Sequence, residues 1–401
     1  MNRLSPRIPL PTVLILAALC IVIAFSVFVR MNSAPELATP DEPKQQPAPL
    51  GEGLFFTSPD LQFIQSLDDR VRGWEEIQKR RRDVRGIYLT AWAAANPQKR
   101  AQVLEVVANT KLNAVVIDTK ADSGCATYRS EIPGLDEVGG VRAYIPDLTA
   151  LVREFKREQD VYLIARIVCF KDPILVKMHP ELAVQDVNGG VWLDAIGAAW
   201  SDPYHPAVWD YNLAFAIEAA RAGFDEIQFD YVRFPSDGKL SRMVFPHADG
   251  RDREDVVAEF LSYAKHALRV EGVPLSADVF GLVCSAVDDV GIGQHLETLA
   301  PQVDYISPMV YPSHYALRSY GLADPDAMPY ETVLASMTDA CRRLGEQEKN
   351  KLRPWLQDFS IRHKYGVAEV QAQIAAVNAV GLDQWLLWHP GSSYTWDALP
   401  R

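Results

Sequence analysis

The chain is expected to fold as an α/β protein, a (β/α)8 TIM barrel preceded by an N-terminal transmembrane helix and a linker. Three observations predict this. From Val84 onward, eight short β-branched or aromatic runs alternate with helical stretches. The longest polar segments, 121–144, 171–205 and 236–251, fall between a strand and the helix that follows it. No glycine-rich phosphate turn follows any strand, which disfavours an open doubly wound sheet.

The N-terminus comes first. Arg3 and Arg7 precede an uncharged run from Leu10 to Val29, and about 20 apolar residues suffice to span a bilayer. The run is long for a secretory signal, no small-residue cleavage site directly follows it, and Leu19 before Cys20 is too large for a lipoprotein pattern. Residues 1–30 therefore read as a signal anchor. Arg30 and then acidic Glu36, Asp41 and Glu42 follow, so the positive-inside tendency puts the N-terminus in the cytoplasm and the main domain outside. Cleavage would instead release it. Residues 31–83 read as a Pro-, Glu- and Gln-rich linker followed by a charged helical lead-in over 60–82.

The barrel occupies 84–401. Its strands are expected at 86–92, 113–120, 161–170, 226–234, 274–281, 303–311, 353–359 and 383–388. Helices are expected near 97–110, 147–158, 206–222, 252–271, 292–299, 330–345 and 367–380. Closure at the eighth strand matches the barrel number.

Of the 401 residues, 48% are hydrophobic and 23% charged, ordinary for a globular protein. The net charge of −12 argues against nucleic-acid binding and fits a neutral or cationic ligand better than a polyanion. Cys125, Cys169, Cys284 and Cys341 lack CxxC spacing, so no zinc site is signalled; one disulfide or free buried thiols both fit. The first strand ends Thr90-Ala91-Trp92 and lacks the His-x-His of metal-dependent hydrolase barrels. No metal or cofactor is implied.

Side chains alternate along barrel strands, so inward residues near a strand's C-terminal end reach the mouth. Asp230, Asp278 and Asp358 fit that description, as does Asp118. A carboxylate inside an apolar strand costs several kcal/mol to desolvate unless it is paired. Arg166 or Arg233 could supply a structural partner. The alternative is glycoside hydrolysis, which needs one carboxylate to attack the sugar or activate water and one carboxyl to protonate the leaving oxygen. Trp92, Tyr231, Tyr311, Tyr315 and Trp388 lie at or beyond strand ends and suit the apolar faces of sugar rings. His314 could bind a sugar hydroxyl or a loop carbonyl; His389 is a weaker candidate. The expected substrate-binding set is Asp118, Arg166, Trp92, Tyr231, Arg233, Tyr311, His314 and Trp388.

Val84–Ser393 resembles a bacterial glycoside hydrolase family of unknown function related to α-amylase-type barrels. The segment GFDEIQFDYVRFP over 223–235 carries most of the resemblance, with SADVFG, SPMVYPSHY and WLQDFS. The resemblance implies Asp230 as nucleophile, Asp278 as general acid and Asp358 as stabiliser of the transition state. Gln228 stands where the α-amylase pattern has Arg, Asp278 where it usually has Glu, and Val232 where a chitinase-like pattern has an acid. The expected activity is hydrolysis of an extracytoplasmic polysaccharide; a polysaccharide-binding barrel without turnover is the other reading.

Overall fold

The computed structural model describes residues 83–401. The expected anchor over 1–30, and the linker and lead-in up to residue 82, lie outside the described residues. Among the described residues no helix is long and apolar enough to cross a membrane.

Eight parallel strands form a closed ring: β1 (Arg85–Leu89), β2 (Ala114–Lys120), β3 (Tyr162–Val168), β4 (Glu226–Asp230), β5 (Leu275–Phe280), β6 (Tyr305–Met309), β7 (Trp355–Gln357) and β8 (Trp385–Trp388). β1 closes the ring, with Gly86 opposite Ala114 of β2 on one side and Leu386 of β8 on the other. A side chain at Gly86 would put its Cβ 2.6 Å from Leu386 Cδ2 and 3.3 Å from the Ala114 Cβ, so any larger residue there would displace the Leu386 side chain.

Strand alternation sorts the core into two layers. Ile87, Leu89, Val115, Ile117, Leu163 and Ala165 pack outward against the helices. Tyr88, Ala114, Val116, Ile164, Trp355 and Leu386 fill the barrel interior. Each fully buried aliphatic side chain contributes roughly 1.5–3 kcal/mol.

The outer layer comprises α1 (Pro97–Asn109), α2 (Leu148–Gln159), α3 (Pro206–Ala222), α4 (Arg253–Val270), α5 (Leu296–Leu299), α6 (Pro329–Glu348) and α7 (Val367–Ala379). Local chemistry starts and stops them. Asn96 Oδ1 accepts from Lys99 N before α1, and Asp147 Oδ1 accepts from Ala150 N at the start of α2. Gly223, at φ 103°, ends α3 and turns the chain into β4. The α5 helix is shorter than expected because Gly291 and Gly293 take positive φ and the Asp289 carboxylate accepts both of their amides. Among the described residues no eighth barrel helix follows β8. A 3-10 turn over Trp396–Ala398 takes its place, and Pro400 O accepts from Lys111 N.

The long loops lie where expected, after β2, β3 and β4. They carry short strands at Ala126–Tyr128, Val141–Ile145, Gln185–Asp186 and Met243–Val244. Gln185–Asp186 pairs antiparallel with Met243–Val244, tying the loops after β3 and β4 together beside the mouth. The four cysteines named above are free, three of them buried.

Candidate active site

The C-terminal mouth opens into a cleft of about 620 Å³. Four of its lining residues, Arg166, Asp230, Asp278 and Trp388, come from the ends of β3, β4, β5 and β8. Tyr231, Arg233, Tyr311, His314 and Tyr315 from the following loops complete the expected residues found there.

Arg166 organises the acidic side. Its Nη2 and Nε donate to Asp230 Oδ2 at 2.5 and 3.0 Å, its Nη1 to Asp118 Oδ1 at 2.7 Å, and its Nη2 also to Asp122 Oδ1 at 3.1 Å. Burial weakens a guanidinium's charge, but three carboxylates more than offset this and hold Arg166 well above the usual arginine value. The Tyr88 hydroxyl donates to the other Asp118 oxygen at 2.5 Å. Both Asp118 oxygens are thus engaged, and Asp118 stands behind the cleft lining rather than in it.

Asp230 ends β4, and Tyr231 takes φ 49°, a left-handed conformation costing a non-glycine residue roughly 1–3 kcal/mol. The turn is pinned: Tyr231 N donates to Asp230 Oδ1 at 2.6 Å, and the amides of Cys169 and Phe170 donate to the carbonyls of Asp230 and Tyr231 at 2.8 and 3.2 Å.

Asp278 differs from Asp230. It is buried and makes no ion pair among the described residues; Trp355 Nε1 donates to its Oδ1 at 2.8 Å. Burial, and then the charge of Asp230, push its carboxyl well above the usual range; the Trp355 bond opposes them in part. Behind the pair, Trp388 stacks on Tyr88 with centroids 4.0 Å apart and meets Trp355 edge-on at 5.5 Å. Burial lowers the His314 pKa, and its ring packs edge-on against Tyr311.

Besides Asp118, two expectations are corrected. Trp355 lies in the interior cluster and Leu356 in the outer one, so Asp358 follows the outward face. Its oxygens accept from Thr395 N and Oγ1 at 2.8 and 2.7 Å, fastening the C-terminal segment, and it does not line the cleft. Trp92 is also outside the cleft. The strand ends at Leu89, Thr90 caps a short helix over Ala91–Ala95, and Trp92 points to solvent with 67% of its surface exposed.

Sequence reasoning missed Asp122, Trp355 and Phe280. Alternation in phase with Asp278 places Phe280 inward at the end of β5, and the β7 sequence already held Trp355. Asp122, in a loop beyond β2, carried no periodic signal. Among the described residues, no group of three or more His, Cys, Asp or Glu is placed to hold a metal ion.

A closed parallel barrel with two carboxyl groups and aromatic side chains in a cleft at its C-terminal face has the architecture of a TIM-barrel glycosidase. The family described as "putative glycosyl hydrolase domain" matches residues 86–394, and the chain belongs to it. No curated protein matches the chain. Among solved structures, it is similar to the PgaB (BpsB) glycoside hydrolase domain from Bordetella bronchiseptica, with 13% identity over 79% of this chain and 99% of that one and a TM-score of 0.56. It is also similar to alpha-L-fucosidase isoenzyme 2 from Paenibacillus thiaminolyticus, with 14% identity over 79% and 48% of the two chains and a TM-score of 0.50. A hypothetical protein from Ruminiclostridium thermocellum is 39% identical over 48% of this chain and 97% of its own, with a TM-score of 0.45.

Proposed function

We propose that the chain hydrolyses glycosidic bonds of a polysaccharide outside the cytoplasm, with Asp278 as general acid and Asp230 as the charged partner. The observation that carries this reading is the asymmetry of the two carboxyls. Asp230 accepts two bonds from a guanidinium, whereas Asp278 is buried without a cation. Glycosidases require such a pair, one protonated and one ionised.

The protonated Asp278 would deliver its proton to the glycosidic oxygen as the bond to the anomeric carbon breaks. Asp230 would act on that carbon directly, or take a proton from the water that does. Trp388 and Tyr311 line the cleft in which the sugar would sit. The guanidinium that α-amylase-type sites take from β4 would come from β3 instead, through Arg166, which accounts for Gln228. The extracytoplasmic location rests on the charge-free run over 10–29 and the basic residues before it.

One observation favours a second reading, a polysaccharide-binding barrel: the Arg166–Asp230 ion pair is also what a structural pair would look like. Reducing-end release by the full chain across bacterial and plant polysaccharides separates the two. Turnover that disappears in Asp230→Asn while binding and folding persist supports hydrolysis. Binding with no release from any glycan supports the binding barrel.

A further inference from the structure

The cleft holds a second arginine in a different situation. Arg233 is 6% exposed and lines the cleft three residues beyond Asp230. Its guanidinium lies 4.6 Å from the Phe280 ring centre, 4.9 Å from that of Trp200 and 5.0 Å from that of Tyr231. Nη1 is fixed by Phe234 O at 3.0 Å and Ser236 Oγ at 3.2 Å. Nε and Nη2 donate to nothing among the described residues, and no carboxylate there forms an ion pair with Arg233. Three acidic neighbours are engaged elsewhere, Asp230 by the Arg166 guanidinium. Asp237 accepts from Ala195 N at 2.9 Å, and Asp194 from Ala198 N at 2.8 Å and Trp200 Nε1 at 3.1 Å.

A buried guanidinium without an anion is costly, and three aromatic faces compensate it only in part. The free edge, Nε–H beside Nη2–H, presents two parallel donors, the fork that matches a carboxylate. Phe280, which packs on the guanidinium, follows Asp278 by two residues on β5, and Arg233, Asp230 and Asp278 line the same cleft.

We propose that Arg233 binds a carboxylate on the sugar next to the scissile bond, making the substrate a glycan that carries acidic sugars. This rests on the hydrolase reading for its substrate, though not for its binding. A net charge of −12 works against a dense polyanion, so the acidic sugars are spaced among neutral ones.

The test uses the full chain with glucuronoxylan, hyaluronan and gellan, each beside its carboxyl-reduced counterpart. Binding and reducing-end release are measured for wild type, Arg233→Gln and Arg233→Lys. The expected result is about 10- to 100-fold weaker binding on carboxyl reduction of at least one glycan, the size of a lost charged hydrogen-bond pair. That preference vanishes in Arg233→Gln and partly survives in Arg233→Lys, which keeps the charge but not the fork. Should Arg233→Gln fail to fold, the Lys variant and the reduced glycans decide. Equal binding of acidic and reduced forms, binding of none of them, or a preference that persists in Arg233→Gln overturns the proposal. Turnover of neutral glycans without acidic preference overturns it while leaving the hydrolase reading intact. Carboxylate-dependent binding with no release from any glycan does the reverse.

Discussion

The two ends of the barrel interior both carry an arginine facing a carboxylate on β4. At the N-terminal end, Arg353 Nη1 donates to Glu226 at 2.8 and 2.9 Å, and both side chains are fully buried. Tyr162 OH donates to Glu226 at 2.9 Å, and the Tyr305 ring centre lies 3.9 Å from the Arg353 guanidinium. At the C-terminal end, four residues along the same strand, Arg166 meets Asp230, but there one guanidinium serves three carboxylates and Asp278 adds a carboxyl with no cation. One cation to one anion, sealed from solvent, is a structural plug. An excess of acid beside a cleft stores unfavourable electrostatics, and such sites are where catalysis is found. Charge inside an apolar strand does not distinguish the two; the local ratio of charges and access to the cleft do.

This contrast can be broken first at Asp278. Asp278→Asn should lower turnover about 10²- to 10⁴-fold, the range for a lost general acid, measured by reducing-end release. Because the folded-state pKa of Asp278 is raised, its contribution to stability is fully present below the unfolded pKa and is lost as pH rises through the folded one. The Asn variant should therefore match or exceed wild type in Tm at neutral pH, and its advantage should shrink on acidification. A clear loss of Tm at neutral pH would make Asp278 structural.

Glu226→Gln should do the opposite. Removing half of the sealed pair leaves Arg353 charged and uncompensated, a cost of about 3–5 kcal/mol in urea unfolding. The folded fraction should keep its kcat. A kcat loss as large as that of Asp278→Asn would erase the distinction between the ends. The smallest effect is expected at Trp92→Ala, outside the cleft and exposed: within about 0.5 kcal/mol in stability, with KM unchanged. A raised KM would bring Trp92 back to the substrate.

Much of this was legible in the chain. Eight strand runs and the placement of the long loops predict the barrel and the end at which its site opens, because strand periodicity and turn chemistry are local. Asp230 and Asp278 stood out because an acid in an apolar run is costly wherever it folds. The Asp358 reading failed on a matter of phase. Its strand is three residues long, and a one-residue error in register exchanges the inside for the outside. Trp92 failed because Thr90 caps a helix two residues earlier than the apolar run suggested.

By itself the sequence determined the alternation of strands and helices, the number eight, and which carboxyls needed an explanation, since these depend on neighbours along the chain. Tertiary structure alone decided that Arg166 from β3 serves Asp230 from β4, that Trp355 from β7 reaches Asp278 on β5, and that Arg233 is left with an open edge. The two pairings join residues 64 and 77 positions apart. Electrostatic partnership depends on distance in space, and only closure of the ring sets that distance.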